Sequence, residues 1–422
     1  TTYYNLTVNT AGTLTGNATT TNDLIVNSTK SLDLATYNVY ASGNIANSGT
    51  ITQTSGTVTA TGTSKTIGGS GNTTLYNITI DGSIIMTGNV TSTNVITANA
   101  GKSLDAGGYT ITLTKASGDP LAGTGTFTAS TSTVIFTGAS PNISPATYYN
   151  VVIDTAAGVF VNTVTTTNNF TVNSGKALDL ATYTLLLTKD TGTPLVVSGT
   201  LTPSASTVNY TGTSATIAGN EYYNLIVNTA GTLGAAASTT NNLTVNSGKS
   251  LDLATYNLNF GGNIANSGNI TQTSGIVTAT GTTKTLGGSG NTTLATLNIA
   301  GTIQMIGNVT STDVVTIDAS KSLDAAGYTL MLTKATGSPL LVNGTFTAST
   351  STVNYSGGTS NGIATTTYYN LTVNTAGTLT GNATSTNLLT INTGKSLAGA
   401  TFNLTLTKAT GSPLLINGTG VF

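Results

Sequence analysis

The chain is built on a 219-residue repeat, and a shorter repeat of about 73 positions lies inside the long one. Asn44–Gly56 read NIANSGTITQTSG, and Asn263–Gly275 read NIANSGNITQTSG. The short repeat is marked by Tyr-Tyr-Asn, which begins at Tyr3, Tyr148, Tyr222 and Tyr368, with degenerate copies near Tyr76 and Thr296. Internal periodicity on this scale predicts an array of stacked units and not a globule.

Composition narrows the class of protein. Only 6% of the 422 residues are charged and 38% are apolar, against about 25% charged in an ordinary soluble domain. The net charge of −1 provides no field that would attract nucleic acid or an anionic membrane. No window has the roughly 18 apolar residues that a membrane span needs, and no signal peptide is visible. The chain opens and stops inside repeats, so we interpret it as a processed product or as the ordered part of a longer polypeptide.

The repeats predict one continuous solenoid, because no linker or change in composition separates them. Six units of about 73 residues are expected, at positions 1–73, 74–146, 147–220, 221–292, 293–366 and, cut short, 367–422.

Within a unit the apolar residues alternate with polar ones, which is typical of strands with one buried face. Gly, Asn and Ser end each run, as tight corners require. We therefore predict an all-β fold, a parallel β-solenoid (β-helix) with rungs of roughly 16–20 residues, about four per unit. At about 4.8 Å per rung it would be a rod on the order of 100 Å long. The residues expected to face inward include Leu6, Val8, Leu24, Val26, Leu32 and Leu34.

A tandem of small β-sandwiches, one per short repeat, is the alternative fold. It would need about seven strands per unit and a boundary between units. Many such cores contain a buried Trp, and this chain has none.

Two short motifs recur with the units. The block Leu-Thr-Lys-x-x-Gly-x-Pro-Leu begins at Leu113, Leu187, Leu332 and Leu406. It lacks the Gly-Lys-Ser/Thr run and the helix of a phosphate loop, so a structural corner is favoured over an anion site. Lys-x-Leu-Asp pairs Lys30 with Asp33, Lys102 with Asp105, Lys176 with Asp179, Lys249 with Asp252 and Lys321 with Asp324. A corner ion pair, worth less than about 1 kcal/mol if exposed, is favoured over a catalytic pair.

Catalysis and metal binding are not expected. The chain has no His, Cys or Arg and a single Glu, Glu221, so the usual ligands of transition metals are missing. No calcium-binding nonapeptide or EF-hand loop occurs, and no carboxylate cluster fits glycoside hydrolysis. We predict a protein that is not an enzyme and holds no cofactor.

Several polar and aromatic residues are candidates for contacts. In each tyrosine pair one ring should face inward and the other outward, where it could contact a neighbouring rod or stack on a sugar; the candidate lateral contacts are Tyr148, Tyr149, Tyr222, Tyr223, Tyr368 and Tyr369. Asn-x-Ser/Thr triplets are possible glycan acceptors in an exported protein, although a chain rich in Asn and Thr makes them by chance; they include Asn5, Asn17, Asn72, Asn89, Asn169, Asn242, Asn308 and Asn403.

The runs at Tyr3–Asn22, Thr112–Ser130 and Val245–Leu258 resemble the β-strand-repeat surface proteins of bacteria and, more loosely, adhesins of the filamentous-haemagglutinin type. The similarity is one of repeat style and covers the whole chain. It implies export, a parallel β-helical shaft and a role in adhesion or surface assembly. The secretion and anchoring domains that usually accompany such shafts are not seen in this sequence.

These observations favour a non-enzymatic extracellular or cell-surface structural protein, a subunit of a filament that assembles head to tail with copies of itself. The alternative is an adhesin shaft whose surface binds glycans or another cell. An ice-binding solenoid is a more distant possibility, because the Thr-x-Thr motif is intermittent. The residues expected at the assembling ends are Tyr3, Tyr4, Leu6, Val8, Val421 and Phe422.

Overall fold

The computed structural model describes every residue from Thr1 to Phe422. It contains no helix, and its strands form about 20 parallel stacked coils, which confirms the predicted β-solenoid and excludes the β-sandwich alternative. The chain divides into two compact units, Thr1–Thr207 and Val208–Phe422.

The strands are short because a glycine or a polar corner follows every few residues. Those that begin within the first unit are β1 (Thr2–Tyr3), β2 (Leu6–Val8), β3 (Gly12–Thr13), β4 (Ala18–Thr20), β5 (Leu24–Val26), β6 (Ser31–Asp33), β7 (Val39–Ala41), β8 (Ile45–Asn47), β9 (Thr50–Thr52), β10 (Thr57–Ala60), β11 (Thr63–Gly68), β12 (Asn72–Ile80), β13 (Ser83–Met86), β14 (Val90–Ala98), β15 (Ser103–Asp105), β16 (Thr110–Leu113), β17 (Ser117–Gly118), β18 (Leu121–Gly123), β19 (Thr126–Thr128), β20 (Thr133–Phe136), β21 (Ser140–Ile143), β22 (Thr147–Tyr148), β23 (Asn150–Ile153), β24 (Gly158–Phe160), β25 (Val164–Thr166), β26 (Phe170–Val172), β27 (Ala177–Asp179), β28 (Thr184–Leu187), β29 (Thr191–Gly192), β30 (Leu195–Val197), β31 (Thr200–Thr202) and β32 (Thr207–Tyr210).

The second unit continues the same alternation of short strands and corners. Its strands are β33 (Ser214–Ile217), β34 (Glu221–Val227), β35 (Ala230–Leu233), β36 (Ala237–Val245), β37 (Ser250–Asp252), β38 (Leu258–Phe260), β39 (Asn263–Asn266), β40 (Asn269–Thr271), β41 (Ile276–Ala279), β42 (Thr282–Gly287), β43 (Asn291–Leu294), β44 (Thr296–Ile299), β45 (Thr302–Met305), β46 (Val309–Ser311), β47 (Val315–Ile317), β48 (Ser322–Asp324), β49 (Thr329–Leu332), β50 (Thr336–Gly337), β51 (Leu340–Val342), β52 (Thr345–Thr347), β53 (Thr352–Tyr355), β54 (Ser360–Ile363), β55 (Thr367–Val373), β56 (Ala376–Leu379), β57 (Ala383–Ile391), β58 (Ser396–Ala398), β59 (Leu404–Leu406) and β60 (Leu414–Ile416).

Each turn of the solenoid contributes three strands. β1, β2 and β3 pair in parallel with β4, β5 and β6, which pair in turn with β7, β8 and β9. Alternate residues face inward, so each strand adds one or two side chains to the core. Val8, Leu24, Val26, Leu32 and Leu34 are buried as predicted. Leu6 is half-buried, because its strand β2 pairs with β5 alone.

The length of a turn varies more than the predicted 16–20 residues. Thr2 pairs with Thr19, 17 positions later, whereas Ile96 pairs with Leu121, 25 positions later. The same spacing of 25 joins Phe170 to Leu195. In each long turn the extra residues form the Lys-x-x-Gly-x-Pro loop. This loop lengthens the chain at a corner without adding a turn.

The 73-residue unit is not a whole number of turns, although its length is close to the predicted value of about four rungs per unit. Starting at Val39, the partner positions in the next three turns are Val58, Ile78 and Ile96. The equivalent of Val39 in the next unit is Ile111, in β16, two strands beyond β14. With three strands per turn, one unit therefore advances three and two-thirds turns. Three such steps make eleven whole turns, which accounts for the 219-residue period of the sequence.

Candidate functional site

In three of the four complete Tyr-Tyr-Asn motifs the first tyrosine lies in the core, whereas Tyr3 of the first motif is half-buried. Tyr148, Tyr222 and Tyr368 are fully buried, while the tyrosine after each is half-buried. The lateral contacts predicted for these three residues are therefore wrong, because a ring that completes the core cannot reach a neighbouring molecule. The lateral contacts of Tyr149, Tyr223 and Tyr369 stay predictions.

The buried phenols are paired with one another in the second unit. Tyr222 O–H donates to the Ala218 carbonyl at 2.6 Å, and its oxygen lies 3.1 Å from that of Tyr210. Tyr355 and Tyr368 repeat this arrangement at 2.9 Å. Burial raises the pKa of Tyr210 and of Tyr355 to about 12, although their hydrogen bonds oppose the shift. Burial also raises the pKa of Tyr222 and Tyr368, and the neighbouring phenol raises each of these pKa values further.

We expect these phenols to stay neutral in alkali until the protein unfolds. A folded pKa above the ordinary value of about 10 favours the neutral form, so stability is present below pH 10 and is lost as the pH rises beyond it. Absorbance at 295 nm should rise in two phases, the later one coinciding with loss of the β-sheet circular dichroism signal. Tyr222→Phe should reduce the absorbance change of the later phase by the contribution of one tyrosine. A single phase that is complete while the protein is still folded would contradict the burial.

The asparagine of Tyr-Tyr-Asn forms a bond between adjacent turns. In five of the six units its Oδ1 accepts the Nδ2 of an asparagine 17 or 18 positions later, at 2.8–2.9 Å; the pairs are Asn5–Asn22, Asn77–Asn94, Asn150–Asn168, Asn224–Asn241 and Asn370–Asn387. In the remaining unit Thr296 donates to Asp313 at 3.2 Å, and Lys334 pairs with the same carboxylate. The motif is thus an inter-turn clamp made of amides.

The ion pair predicted within Lys-x-Leu-Asp does not form. Lys102 instead reaches Asp81 at 3.9 Å, and Lys176 reaches Asp154 at 3.4 Å, because parallel stacking places these two lysines beside the preceding turn. The motif aspartate has another role. In every copy its carboxylate accepts a hydrogen bond, at 2.8–2.9 Å, from the backbone N–H of the residue two positions later. The accepting residues are Asp33, Asp105, Asp179, Asp252 and Asp324.

This hydrogen bond holds a corner in the left-handed conformation. The residue that donates it is an alanine in four copies, with φ of 49–52°, at Ala35, Ala181, Ala254 and Ala326. Such a conformation costs a non-glycine residue about 1 kcal/mol or more, and the aspartate offsets part of it. Burial raises the pKa of Asp324, but hydrogen bonds from Gln304, Ala326 and Ser349 outweigh it and lower the pKa overall.

The Lys-x-x-Gly-x-Pro block is a corner, as predicted. Its glycine has a positive φ in every copy, from 74° at Gly118 to 84° at Gly192. Lys115 Nζ donates across the loop to the Asp119 carbonyl at 3.1 Å. The proline carbonyl accepts the N–H of a strand in the preceding turn, for example Ile96 to Pro120 at 2.9 Å.

An aromatic residue at or near the surface recurs once per unit, four positions after the motif aspartate in five units and four after Ala398 in the sixth, and the sequence reasoning missed it. The six are Tyr37, Tyr109, Tyr183, Tyr256, Tyr328 and Phe402. Tyr109 is 38% exposed, and Tyr256 and Tyr328 are each 37% exposed. The constant spacing from the aspartate was the signal that could have found them.

The candidate glycan acceptors lie on the surface or near it. Asn169 and Asn242 are half-buried, and the other six are exposed. Several already bind the next turn: the Oδ1 atoms of Asn17, Asn89 and Asn308 accept backbone N–H groups at 2.8–2.9 Å. Their glycosylation stays a prediction.

The predicted assembly ends differ in exposure. Tyr4 is 73% exposed, Val421 60% and Phe422 59%, while Val8 is buried and Tyr3 and Leu6 are half-buried. β1 pairs with β4 alone, and β60 pairs with β57 alone.

The structure contains no group of three or more His, Cys, Asp or Glu side chains placed to hold a metal ion. It has no helix long and apolar enough to cross a membrane. Comparison with known proteins finds no family model, curated protein or solved structure that matches the chain. The architecture of stacked parallel turns is compatible with a structural or adhesin shaft.

Proposed function

We propose that this chain is a non-enzymatic, extracellular structural shaft, part of a surface filament or fibrous appendage. The observation that carries the proposal is the regularity of the stack. In both units the turns are joined by parallel backbone ladders, and amide clamps recur with nearly every 73-residue unit. A sequence whose polar side chains join neighbouring turns suits a structural element that has to resist mechanical force.

The chemistry of the chain supports a structural role. Aspartate, the main acidic residue, holds corners of the backbone through Asx-type hydrogen bonds. Lys115 is bound by a backbone carbonyl group, and Lys102 and Lys176 by aspartates of the preceding turn. The sequence offers no His or Cys as base or nucleophile, and those residues perform most general-base and thiol chemistry.

We further propose that the terminal edges accept another copy of the chain. An unpaired strand edge is a template for a further parallel strand. At the last turn Ile416, Val421 and Phe422 are exposed, and so is Leu415, whose equivalents Val196 and Leu341 also face outward in inner turns. Contact of this edge with the β1 edge of a second copy is heterologous, and it would propagate into a filament.

The test is assembly of the 422-residue chain, followed by sedimentation velocity and negative-stain microscopy. Leu415→Lys and Val421→Lys place a charge on exposed edge positions and should leave monomers with parental circular dichroism. Val8→Lys should do the same at the other edge, and the milder Thr7→Lys replaces it if Val8→Lys unfolds. Tyr40→Lys, on an exposed inner strand, is the matched control and should assemble normally.

The proposal is overturned if the parent stays monomeric at high concentration, or if the edge variants form filaments like the parent. In that case the adhesin-shaft function becomes the better account, because it needs no self-association.

A further inference from the structure

A groove of about 460 Å³ opens on the surface of the second unit. Its size is within the roughly 300–1,000 Å³ that small-molecule sites occupy. The polar side chains and the aromatic ring that line it include those of Asn269, Ser289, Asn291, Thr293, Asn308 and Tyr328. No acidic or basic side chain lines the groove, so a ligand would have to be neutral and polar.

Glycines form the floor of the groove, so no side chain projects from the floor into it. Gly288 has a φ of +144°, which disfavours any side chain there. A Cβ added to Gly307 would lie 2.1 Å from the Gly288 carbonyl oxygen. The two turns therefore touch through their backbones, and the space above them cannot be filled by side chains from the floor.

The walls combine fixed amides with an aromatic face. Asn308 Oδ1 accepts the Thr329 N–H at 2.8 Å, which fixes the amide and leaves its Nδ2 without a protein partner. The backbone carbonyl of Asn291 accepts Asn266 Nδ2 at 2.7 Å, while the Asn291 side chain remains exposed. Tyr328 is 37% exposed and follows the left-handed corner at Ala326, which places its ring at the edge of the groove.

The same arrangement recurs in the first unit, one long repeat earlier in the sequence. Tyr109 is 38% exposed, and Asn89 Oδ1 accepts the Thr110 N–H at 2.9 Å. A Cβ on Gly88 would lie 2.0 Å from the Gly69 carbonyl oxygen. Among the lining residues, Thr50 in place of Asn269 is the only difference between the two sequences.

We propose that the groove at Tyr328, and its counterpart at Tyr109, bind neutral saccharide. A pyranose ring presents a face of C–H groups and a rim of hydroxyls. The exposed phenol ring accepts the C–H face, since tyrosine has an apolar body and a polar tip. Amides and hydroxyls, which both donate and accept, match the sugar rim without any charge. The shallow, open form of the groove suits one or two residues of a longer chain.

The probes are linear hexaoses of glucose, galactose, mannose and N-acetylglucosamine, titrated into the 422-residue chain by isothermal calorimetry. At least one should bind with two sites per chain. Tyr328→Ala should abolish one of the two sites, and the double variant with Tyr109→Ala should weaken binding at least tenfold. Tyr256→Ala is the matched control, because Tyr256 is equally exposed but does not line the groove.

The proposal is overturned if no hexaose binds up to its solubility limit, or if Tyr256→Ala reduces binding as much as Tyr328→Ala. It is also overturned if an acidic polysaccharide fragment binds and the neutral hexaoses do not. Assembly of the edge variants is measured separately, so the shaft function can stand or fall independently of this result.

Discussion

Replacing Tyr222 by alanine should lower the free energy of unfolding of the second unit by about 3–5 kcal/mol, the range for removing a large buried aromatic side chain. The ring is fully buried, and its loss leaves a cavity. It also removes one hydrogen-bond partner, at 3.1 Å, of the Tyr210 hydroxyl, which still accepts the Ala218 N–H. Because solenoid turns contact only their neighbours, hydrogen exchange should accelerate first in β32, β34 and β36.

The matched control is Tyr223→Ala, the next residue along the same strand. Its ring is half-buried, so the expected loss is about 1 kcal/mol or less. Urea unfolding followed by circular dichroism measures both variants. Equal losses at the two positions would mean that Tyr222 does not lie in the core as described.

Gly301→Ala should be as damaging as a core truncation, although it adds only one methyl group. The new Cβ would lie 2.1 Å from the Gly281 carbonyl oxygen, and backbone cannot move aside as a flexible side chain can. The turns would have to separate, which breaks the bond from Thr302 N–H to Gly281 at 2.9 Å. We expect a loss of about 3 kcal/mol or more, at the upper end for overpacking.

Gly16→Ala is the control for this substitution, since nothing lies within 4 Å of its added Cβ. Its effect should be at most about 1 kcal/mol, and an alanine there can even stabilise by restricting the unfolded chain. Thermal unfolding of both variants, with exchange of the Thr302 amide, gives the comparison. If Gly301→Ala unfolds like the parent, the close approach of the two turns is incorrect.

The fold could be predicted from the sequence because its signals are local. Alternation at Leu24 and Val26 gives a strand with one buried face, and glycines give the corners. The turn length could be predicted only in part. The Pro120 loop inserts extra residues at a corner, and local pattern does not distinguish a longer corner from an additional strand.

The candidate site was harder to predict, since it depends on which turn lies beside which. Lys102 is close to Asp105 in sequence, yet the parallel stack brings it to Asp81 of the preceding turn. The two-residue alternation along a strand predicted correctly that one tyrosine of each pair faces inward and the other outward. It could not tell whether Tyr222 or Tyr223 lies in the core. The groove depends on the close approach of Gly288 and Gly307, which lie in two adjacent turns. No pattern in the sequence indicates that contact.

The advance of three and two-thirds turns per short repeat has a consequence for how a gene for such a protein can change length. Loss or gain of one short repeat inside a stack would rotate everything after it by a third of a turn, so that each surface feature would emerge from a different side. Loss or gain of one whole long repeat would restore every face. Recombination between the long repeats would therefore lengthen or shorten the solenoid and keep its faces in register, whereas recombination between neighbouring short repeats would not.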